Sequence, residues 1–533
     1  MNKKFLTRLL PVIIIYLIVL VIIRFCQYSD RKELSVNDHK WDKLLLILEQ
    51  IDKNYVDTIN YDRVIEKTLP ALMENLDPHS LYLPPEKLKS ADEFLDGNFS
   101  GIGIEFNVPD DTVTVITVVR GGPSEKAGIL SGDKIITVDG KNIAGVRMNQ
   151  DSIVACLKGR EGSVVNLEVK RDNLEELLKF SIVRDRIPVN SLDVAMMLND
   201  TVGYMKLSKF ARSSHAEFSK AAEKLRKEGL KRLVFDLRDN VGGYLDQALL
   251  LANEFLEKGD LIVYMEGLHR KRRDFHADGK GKMQDIKLYV VINENSASSS
   301  EIFAGAIQDN DRGIIVGRRS FGKGLVQEPI YFTDKSGIRL TVARYYTPTG
   351  RSIQKPYSEN YRYDILERYE HGEMLEADSI RVNDSLKFVT PMGKVLYGGG
   401  GITPDIFVPI DTVGVTDYLI AVNRKSLQIK YSAKLADRYR AVLREVKSME
   451  QLHKLISGIE IGEGFKRFAL SNGVALPSAR EWKKCENIIV TQVKGLFGRY
   501  SALEDEAFYS YMLKIDNVMD AIKKDYEKQT CKK

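Results

Sequence analysis

The sequence predicts a multidomain α+β chain, and three observations predict it. The chain is too long for one core. A β-rich stretch punctuated by glycine turns begins near Phe99, and strands alternate with helices from about residue 202 to 409. At 533 residues a single hydrophobic core has stopped growing, so two to four domains are expected. Hydrophobic residues make up 44% and charged residues 29%, the balance of a globular protein, and a net charge of +5 gives no reason to expect nucleic acid.

Residues 1–8 form a short basic N-terminus containing Lys3, Lys4 and Arg8, and an apolar run over 9–23 follows, interrupted by Pro11 and Tyr16. At 1.5 Å per residue that run spans roughly 22 Å, short of a ~30 Å hydrocarbon core. Phe5 and Leu6 extend it, and Arg8 and Arg24 can snorkel to the interfaces. No small-x-small cleavage site follows, so residues 9–25 are expected to be an uncleaved transmembrane signal anchor rather than a cleaved signal peptide. The preceding positive charges keep residues 1–8 cytoplasmic and put the bulk of the chain outside.

Residues 38–96 read as a helical segment. Leu44, Leu48, Ile51 and Tyr55 recur at helical spacing, and a second helix over 61–76 ends in Asp77-Pro78-His79-Ser80. Residues 97–186 read as a β-rich unit, with strands over 112–119 and 133–138, a turn at Gly121-Gly122-Pro123, and a short helix over 124–129 ended near Gly128. Within residues 187–411 the runs 232–237 and 288–292 are expected as buried strands. Each leads into a Gly- or Ser-rich turn and then a helix, the place where free helix N–H groups collect ligands and catalytic groups. A charged, Tyr-rich tract over about 354–397 reads as an insertion. Residues 412–533 turn helical, with Leu435, Tyr439, Val442, Leu443 and Val446 expected to form one apolar stripe.

Cys26, Cys156, Cys485 and Cys531 lie far apart without a CxxC pair and read as buried or unpaired thiols. There is neither an HExxH motif nor a histidine cluster at ligand spacing, so no metal and no cofactor are expected.

Four segments compete for chemistry. Ser296-Ala297-Ser298-Ser299-Ser300-Glu301 follows a buried strand and opens a helix, where a serine would sit over free N–H groups. The same residues, Ser298-x-x-Glu301, also make an ordinary capping box. A serine nucleophile needs a base, and none of the seven histidines is tied to it by spacing. A lysine desolvated in an apolar pocket is the alternative, and Lys323 sits between Gly322 and Gly324 ahead of a strand-like run. Gly317 to Lys323 also matches the first seven positions of a phosphate-binding loop. However, Gly324 stands where Ser or Thr must ligate magnesium, and no helix pattern follows. Asp236 to Gly243 closes another buried strand with a Gly pair that exposes N–H groups to a ligand, or makes a plain tight turn. Gly101-Ile102-Gly103-Ile104 suits a loop whose N–H groups capture a peptide carboxylate. His269-Arg270-Lys271-Arg272-Arg273 reads as a solvated loop.

Together these segments resemble the C-terminal processing (tail-specific) peptidases, serine proteases that carry a PDZ domain, over about residues 41–409. The resemblance rests on Leu76-Asp77-Pro78-His79-Ser80, Phe99 to Phe106, Gly122-Pro123-Ser124 with Ala127-Gly128 and Gly132-Asp133, and Asp236 to Gly243. Ser296 to Gly305, Phe321 to Gln327, Tyr346-Thr347-Pro348 and Gly401-Ile402-Thr403-Pro404-Asp405 complete it. The order of these eight segments is what carries the likeness. It implies a PDZ domain at 97–186 and, at 187–411, an α/β serine protease core of the ClpP/crotonase-like type.

The resemblance further implies Ser298 as nucleophile, Lys323 as general base and Gln327 as the residue orienting that lysine. The backbone N–H groups of Ser299 and Gly242 are implied as the oxyanion hole, and the Gly101–Ile104 loop as the peptide site. Two residues depart from the family pattern: Val241 replaces the usual Pro before the Gly pair, and Ser299 the usual Ala after the nucleophile. The implied substrates are proteins with apolar C-terminal tails, cleaved at or near the tail, on the periplasmic side of a bacterial inner membrane. A homodimer or an adaptor protein stays open, as does a catalytically silent PDZ-containing scaffold.

Overall fold

The computed structural model describes residues 15–24, 41–119, 121–171, 174–358 and 360–531. Two compact units emerge, residues 1–69 and 70–533. In the first, residues 15–24 and Asp42–Asn54 are helical, and the Tyr61–Glu74 helix begins there. The rest of the expected anchor, the basic N-terminus and Cys26 lie outside the described residues. Among the described residues no helix is long and apolar enough to cross a membrane.

In the second unit the β-rich region is a sheet whose strand order runs Ile104–Asn107, Val113–Val118, Lys134–Val138, Val164–Lys170, Leu178–Val183. The strands alternate, and their inward residues Val113, Val115, Ile135, Val165, Leu167 and Val169 make one core with Ile153 and Leu157 of the Gln150–Leu157 helix. The short helix is Pro123–Ala127 and ends on Gly128 at φ 89°, a left-handed C-cap that glycine adopts without strain. The entering strand Asn98–Gly101 pairs antiparallel with the leaving strand Asp185–Pro188, so both connections of this region form one two-stranded stem.

The central sheet has the order Leu192–Met197, Val202–Leu207, Arg232–Asp236, Lys287–Ile292, Ile314–Gly317, Ile406–Phe407, parallel except for its first pair. Its inner strands are buried on both faces and therefore read as continuous apolar runs. One face packs against helices Ser214–Lys227, Leu245–Asn253 and Ser299–Asp309 through Phe218, Phe235, Phe255 and Phe303, which meet edge to face. Ser299–Asp309 is buried at every residue, which is why it shows no one-sided apolar stripe.

The opposite face is covered by the final helix Asn517–Cys531. Val518 and Ile522 pack with Val234, Tyr289 and Val291, Tyr289 Oη donates to Asp525 at 2.9 Å, and Arg238 pairs with Asp516 at 2.6 Å. That helix is thus part of the central sheet's packing rather than of a separate C-terminal region. A second, antiparallel sheet holds Leu325–Tyr331 against Gly337–Tyr346, which also pairs with Leu81–Leu83 and Leu261–Gly267. Leu325–Tyr331 pairs on one side only, which accommodates Pro329.

The remaining C-terminal helices have a core of their own that includes Leu427, Leu435, Leu452, Phe465, Ile489 and Phe497. The single stripe expected over residues 435–446 is instead broken at Tyr439, where Leu427–Arg438 ends and Arg440–Glu445 begins. Val442 is left half exposed while Leu443 and Val446 are buried. These helices meet the β-rich region through three ion pairs: Arg499–Glu105 at 2.9 Å, Arg440–Asp133 at 3.2 Å and Lys430–Asp110. Asp133 is fully buried and also accepts two hydrogen bonds from Arg171, at 2.8 and 2.6 Å.

Candidate active site

Ser298 ends the turn after the central strand Lys287–Ile292 and caps the Ser299–Asp309 helix. Its backbone has φ 56° and ψ −114°, a conformation sparsely populated by residues with a side chain and held only where the surroundings enforce it. Glu301 supplies much of that enforcement. Its buried carboxylate accepts from Ser298 N at 2.9 Å and Lys323 N at 2.8 Å on Oε2, and from Gly322 N at 2.7 Å and the Ser320 hydroxyl on Oε1. The capping box is therefore present, and its glutamate does more than cap. One oxygen atom fastens the backbone of Ser298 to that of Lys323, and Phe321 N donates to Ser296 O at 3.0 Å beside it. Burial pushes the Glu301 carboxyl up, against the pull of its four donors.

Lys323 is followed by the Leu325–Tyr331 strand, not by the helix that a phosphate-binding loop requires. Its Nζ donates to Gln327 Oε1 at 2.8 Å; no hydrogen bond joins it to Ser298 Oγ. Gln327 Nε2 donates to His79 O at 2.5 Å, which fixes the amide so that its oxygen faces the lysine. Burial holds the Lys323 ammonium below the ordinary lysine value. Arg339 pushes the same way, while Glu301 and Asp77 oppose. A lowered ammonium pKa is what an amine needs to act as a base near neutral pH.

The Gly242-Gly243 turn lies directly over the serine. A Cβ on Gly242 would come within 2.8 Å of Ser298 Cβ and 3.0 Å of Ser299 N, and one on Gly243 within 2.2 Å of Phe210 O. Gly242 N is occupied, donating to Asn240 Oδ1 at 2.9 Å. Gly242 O accepts from Phe210 N at 3.0 Å, so in the trans peptide the N–H of Gly243 points the other way. Among the described residues the N–H groups of Ser299 and Gly243 meet no acceptor. The hydroxyl of Ser299, the residue that replaces Ala, donates to Gly243 O at 3.0 Å and ties the turn to the Ser299–Asp309 helix.

Gly101, Ile102, Gly103 and Ile104 lie apart from Ser298 in the chain fold, at the join between the stem and the β-rich sheet. Gly103 has φ 75°, and Ile102 O and Gly103 O accept from Ser124 N and Val119 N, both at 3.0 Å. The Ile104–Asn107 strand that follows pairs with Val113–Val118 and lies at the edge of its sheet, with no other strand paired to it among the described residues. Among the described residues no group of His, Cys, Asp and Glu is placed to hold a metal ion.

Two contributions to the lysine pocket were not read as site residues, although His79 lies in one of the segments that carry the resemblance. His79 acts through its carbonyl, with its N–H held by Asp77 at 2.7 Å. Gln354, Lys355 and Tyr361 come from the start of the tract read as an insertion, yet they are buried around the lysine loop.

Comparison with known proteins gives the family of the chain. Residues 201–361 match the model of peptidase family S41 and residues 100–182 that of the PDZ domain. The carboxy-terminal processing protease CtpA of Bacillus subtilis (strain 168) is 32% identical over 354 residues, 66% of this chain and 75% of that protein. The carboxy-terminal-processing protease of Bartonella bacilliformis is 37% identical over 338 residues, 60% of this chain and 76% of that protein. Among solved structures, a photosystem II D1 C-terminal processing protease overlaps 71% of this chain and 89% of its own at 26% identity, with a TM-score of 0.36. The chain belongs to peptidase family S41, as a PDZ-containing serine peptidase of the carboxy-terminal processing kind.

Proposed function

We propose that the chain cleaves proteins near apolar C-terminal tails with a Ser298–Lys323 dyad, and that its PDZ domain captures the tail. The observation that carries this reading is the shared carboxylate oxygen of Glu301, which holds the backbones of nucleophile and base together while Gln327 takes the lysine's proton-bearing side. A neutral amine has two N–H groups and one lone pair. Gln327 Oε1 accepts from one N–H, and the lone pair is left to receive the Ser298 proton.

Ser298 Oγ attacks the scissile carbonyl as its proton passes to Lys323 Nζ. The resulting oxyanion is bound by the N–H groups of Ser299 and Gly243, and we assign the second donor to Gly243 rather than Gly242 because Asn240 already engages the Gly242 N–H. Collapse breaks the C–N bond as the Lys323 ammonium returns the proton to the departing amine. The ester left on Ser298 is hydrolysed by water, with neutral Lys323 again the base.

The tail joins the Ile104–Asn107 edge as an added strand, its carboxylate on the Gly101–Gly103 loop, which raises the local concentration of substrate at the site. The basic residues Lys3, Lys4 and Arg8 ahead of the apolar run 9–23 support a single N-terminal anchor, with the peptidase on the extracytoplasmic side of a bacterial inner membrane.

The test is digestion of an unstructured protein ending in an apolar tail by the full chain in detergent, beside Ser298→Ala and Lys323→Ala. Cleavage by the parent chain alone is expected. Cleavage that survives Ser298→Ala means another nucleophile, and tail binding with no cleavage by any of the three favours a binding scaffold.

A further inference from the structure

Around Lys323 the hydrogen bonds close into a ring that no single motif contains. Gly324 N donates to Gln354 Oε1 at 3.0 Å, which orients that amide so that its Nε2 donates to Tyr361 Oη at 3.0 Å. The Tyr361 hydroxyl in turn shares a hydrogen bond with His79 Nε2, 2.6 Å away. His79 O accepts from Gln327, and Gln327 Oε1 accepts from Lys323 Nζ, one residue before the ring began. Gln354 Nε2 also donates to Lys355 O at 2.8 Å, which holds that amide from a second side.

We propose that Tyr361 is a positioning residue for the catalytic base: its hydroxyl locks the His79 ring in place as a neutral wall of the lysine pocket and so keeps water from Lys323 Nζ. This rests on the reading of Lys323 as the base. The surroundings fit a dry wall. Tyr361 and Gln354 are buried, and the His79 ring meets Tyr361 edge-on at 5.3 Å and Phe321 at 6.3 Å. Burial, then the charge of Lys323, push the His79 imidazole down to about 4, with Lys355 adding to this and Asp77 opposing. The ring therefore stays a neutral neighbour at neutral pH, joined to the Tyr361 hydroxyl through Nε2.

The charged groups facing Lys323 are Arg339 from the partner strand, Glu301 from the nucleophile helix and Asp77 from the segment before His79. Lys355 lies near His79 and lowers its pKa. Its Nζ lies 4.0 Å from the Phe321 ring centre and 4.4 Å from that of Tyr361, and it is paired with Asp364 at 3.0 Å. None of these groups is removed by replacing the Tyr361 hydroxyl, and the ring that covers Lys355 remains.

The experiment is the pH dependence of kcat/KM for Tyr361→Phe in the full chain, with His79→Phe and the double variant. Without the hydroxyl, His79 Nε2 takes its hydrogen bond from water beside the lysine, and hydration favours the ammonium. The acid limb is expected to move up by about half a unit to one unit. Activity at pH 7 falls about three- to tenfold, recovers at higher pH, and KM stays unchanged. His79→Phe keeps the carbonyl that Gln327 needs and should give the same shift, and the double variant should equal either single one. An acid limb that stays in place in both single variants, or losses that add, overturns the proposal. If Tyr361→Phe does not fold, the His79→Phe limb decides alone. Lys323→Ala in the same assay separates the two levels: activity with an unchanged limb in that variant removes the base assignment itself, whereas an inactive Lys323→Ala beside an unshifted Tyr361→Phe removes only the positioning role.

Discussion

Replacing Gln327 by glutamate puts a carboxylate where an amide oxygen now lies 2.8 Å from Lys323 Nζ, with almost no change of shape. At an effective dielectric of about 20, opposite unit charges at that distance attract by about 6 kcal/mol. Moving the new carboxylate out of water costs several kcal/mol, so about 2–3 kcal/mol remains in favour of the ammonium. At 1.36 kcal/mol per pH unit this raises the pKa of Lys323 by about 1.5–2 units. The sign follows directly. Burial favours the neutral amine, and a carboxylate favours the ammonium. The acid limb of kcat/KM for a tail-bearing substrate should move to higher pH, and activity at pH 7 should fall by about thirty- to a hundredfold. The midpoint is the readout, since the variant also loses its donor to His79 O and its plateau will be lower. A plateau loss with an unmoved midpoint would refute the pairing of Gln327 with the titrating base.

Two further substitutions probe the turn over the serine. Ser298→Gly should abolish cleavage and raise thermal stability by about 1 kcal/mol, because glycine relieves a backbone at φ 56°, ψ −114°; an unchanged or lower melting temperature would show that the turn is not strained. Gly243→Ala places a Cβ 2.2 Å from Phe210 O and should cost more than about 2 kcal/mol of stability together with nearly all activity, read by thermal unfolding and the tail-cleavage assay.

What the sequence made legible, and what it hid, follows from where each group's partner lies. Ser298 and Glu301 are three residues apart on one helix turn, and Lys323 lies four residues before Gln327, just ahead of its strand, so short motifs record them. The same locality favoured the buried strands 232–237 and 288–292, whose apolar runs are dictated by burial on both faces. His79 serves through a carbonyl, which any residue possesses, to an amide 248 positions away. Tyr361 and Gln354 stood in a tract whose charge and irregularity suggested an insertion, because buried polar partners look polar in sequence whatever they touch. That the Gly242 N–H is already engaged was equally hidden, since it depends on the Asn240 side chain turning back on it. At Tyr439 the helical period continued in sequence while the backbone did not.

Asp133 belongs in sequence to the PDZ domain, but two chains of contacts converge on it, from Arg171 within the domain and from Arg440 in the helices beyond residue 412. Arg440 rests against Gly132, where even a methyl group would collide with its guanidinium. The peptide-reading domain is therefore not portable in the way its strand pattern suggests. Cut at 97 and 186 and grafted elsewhere, it would carry an acidic residue whose pocket was shaped with a second arginine from outside. Its borders along the chain and its borders in energy fall in different places.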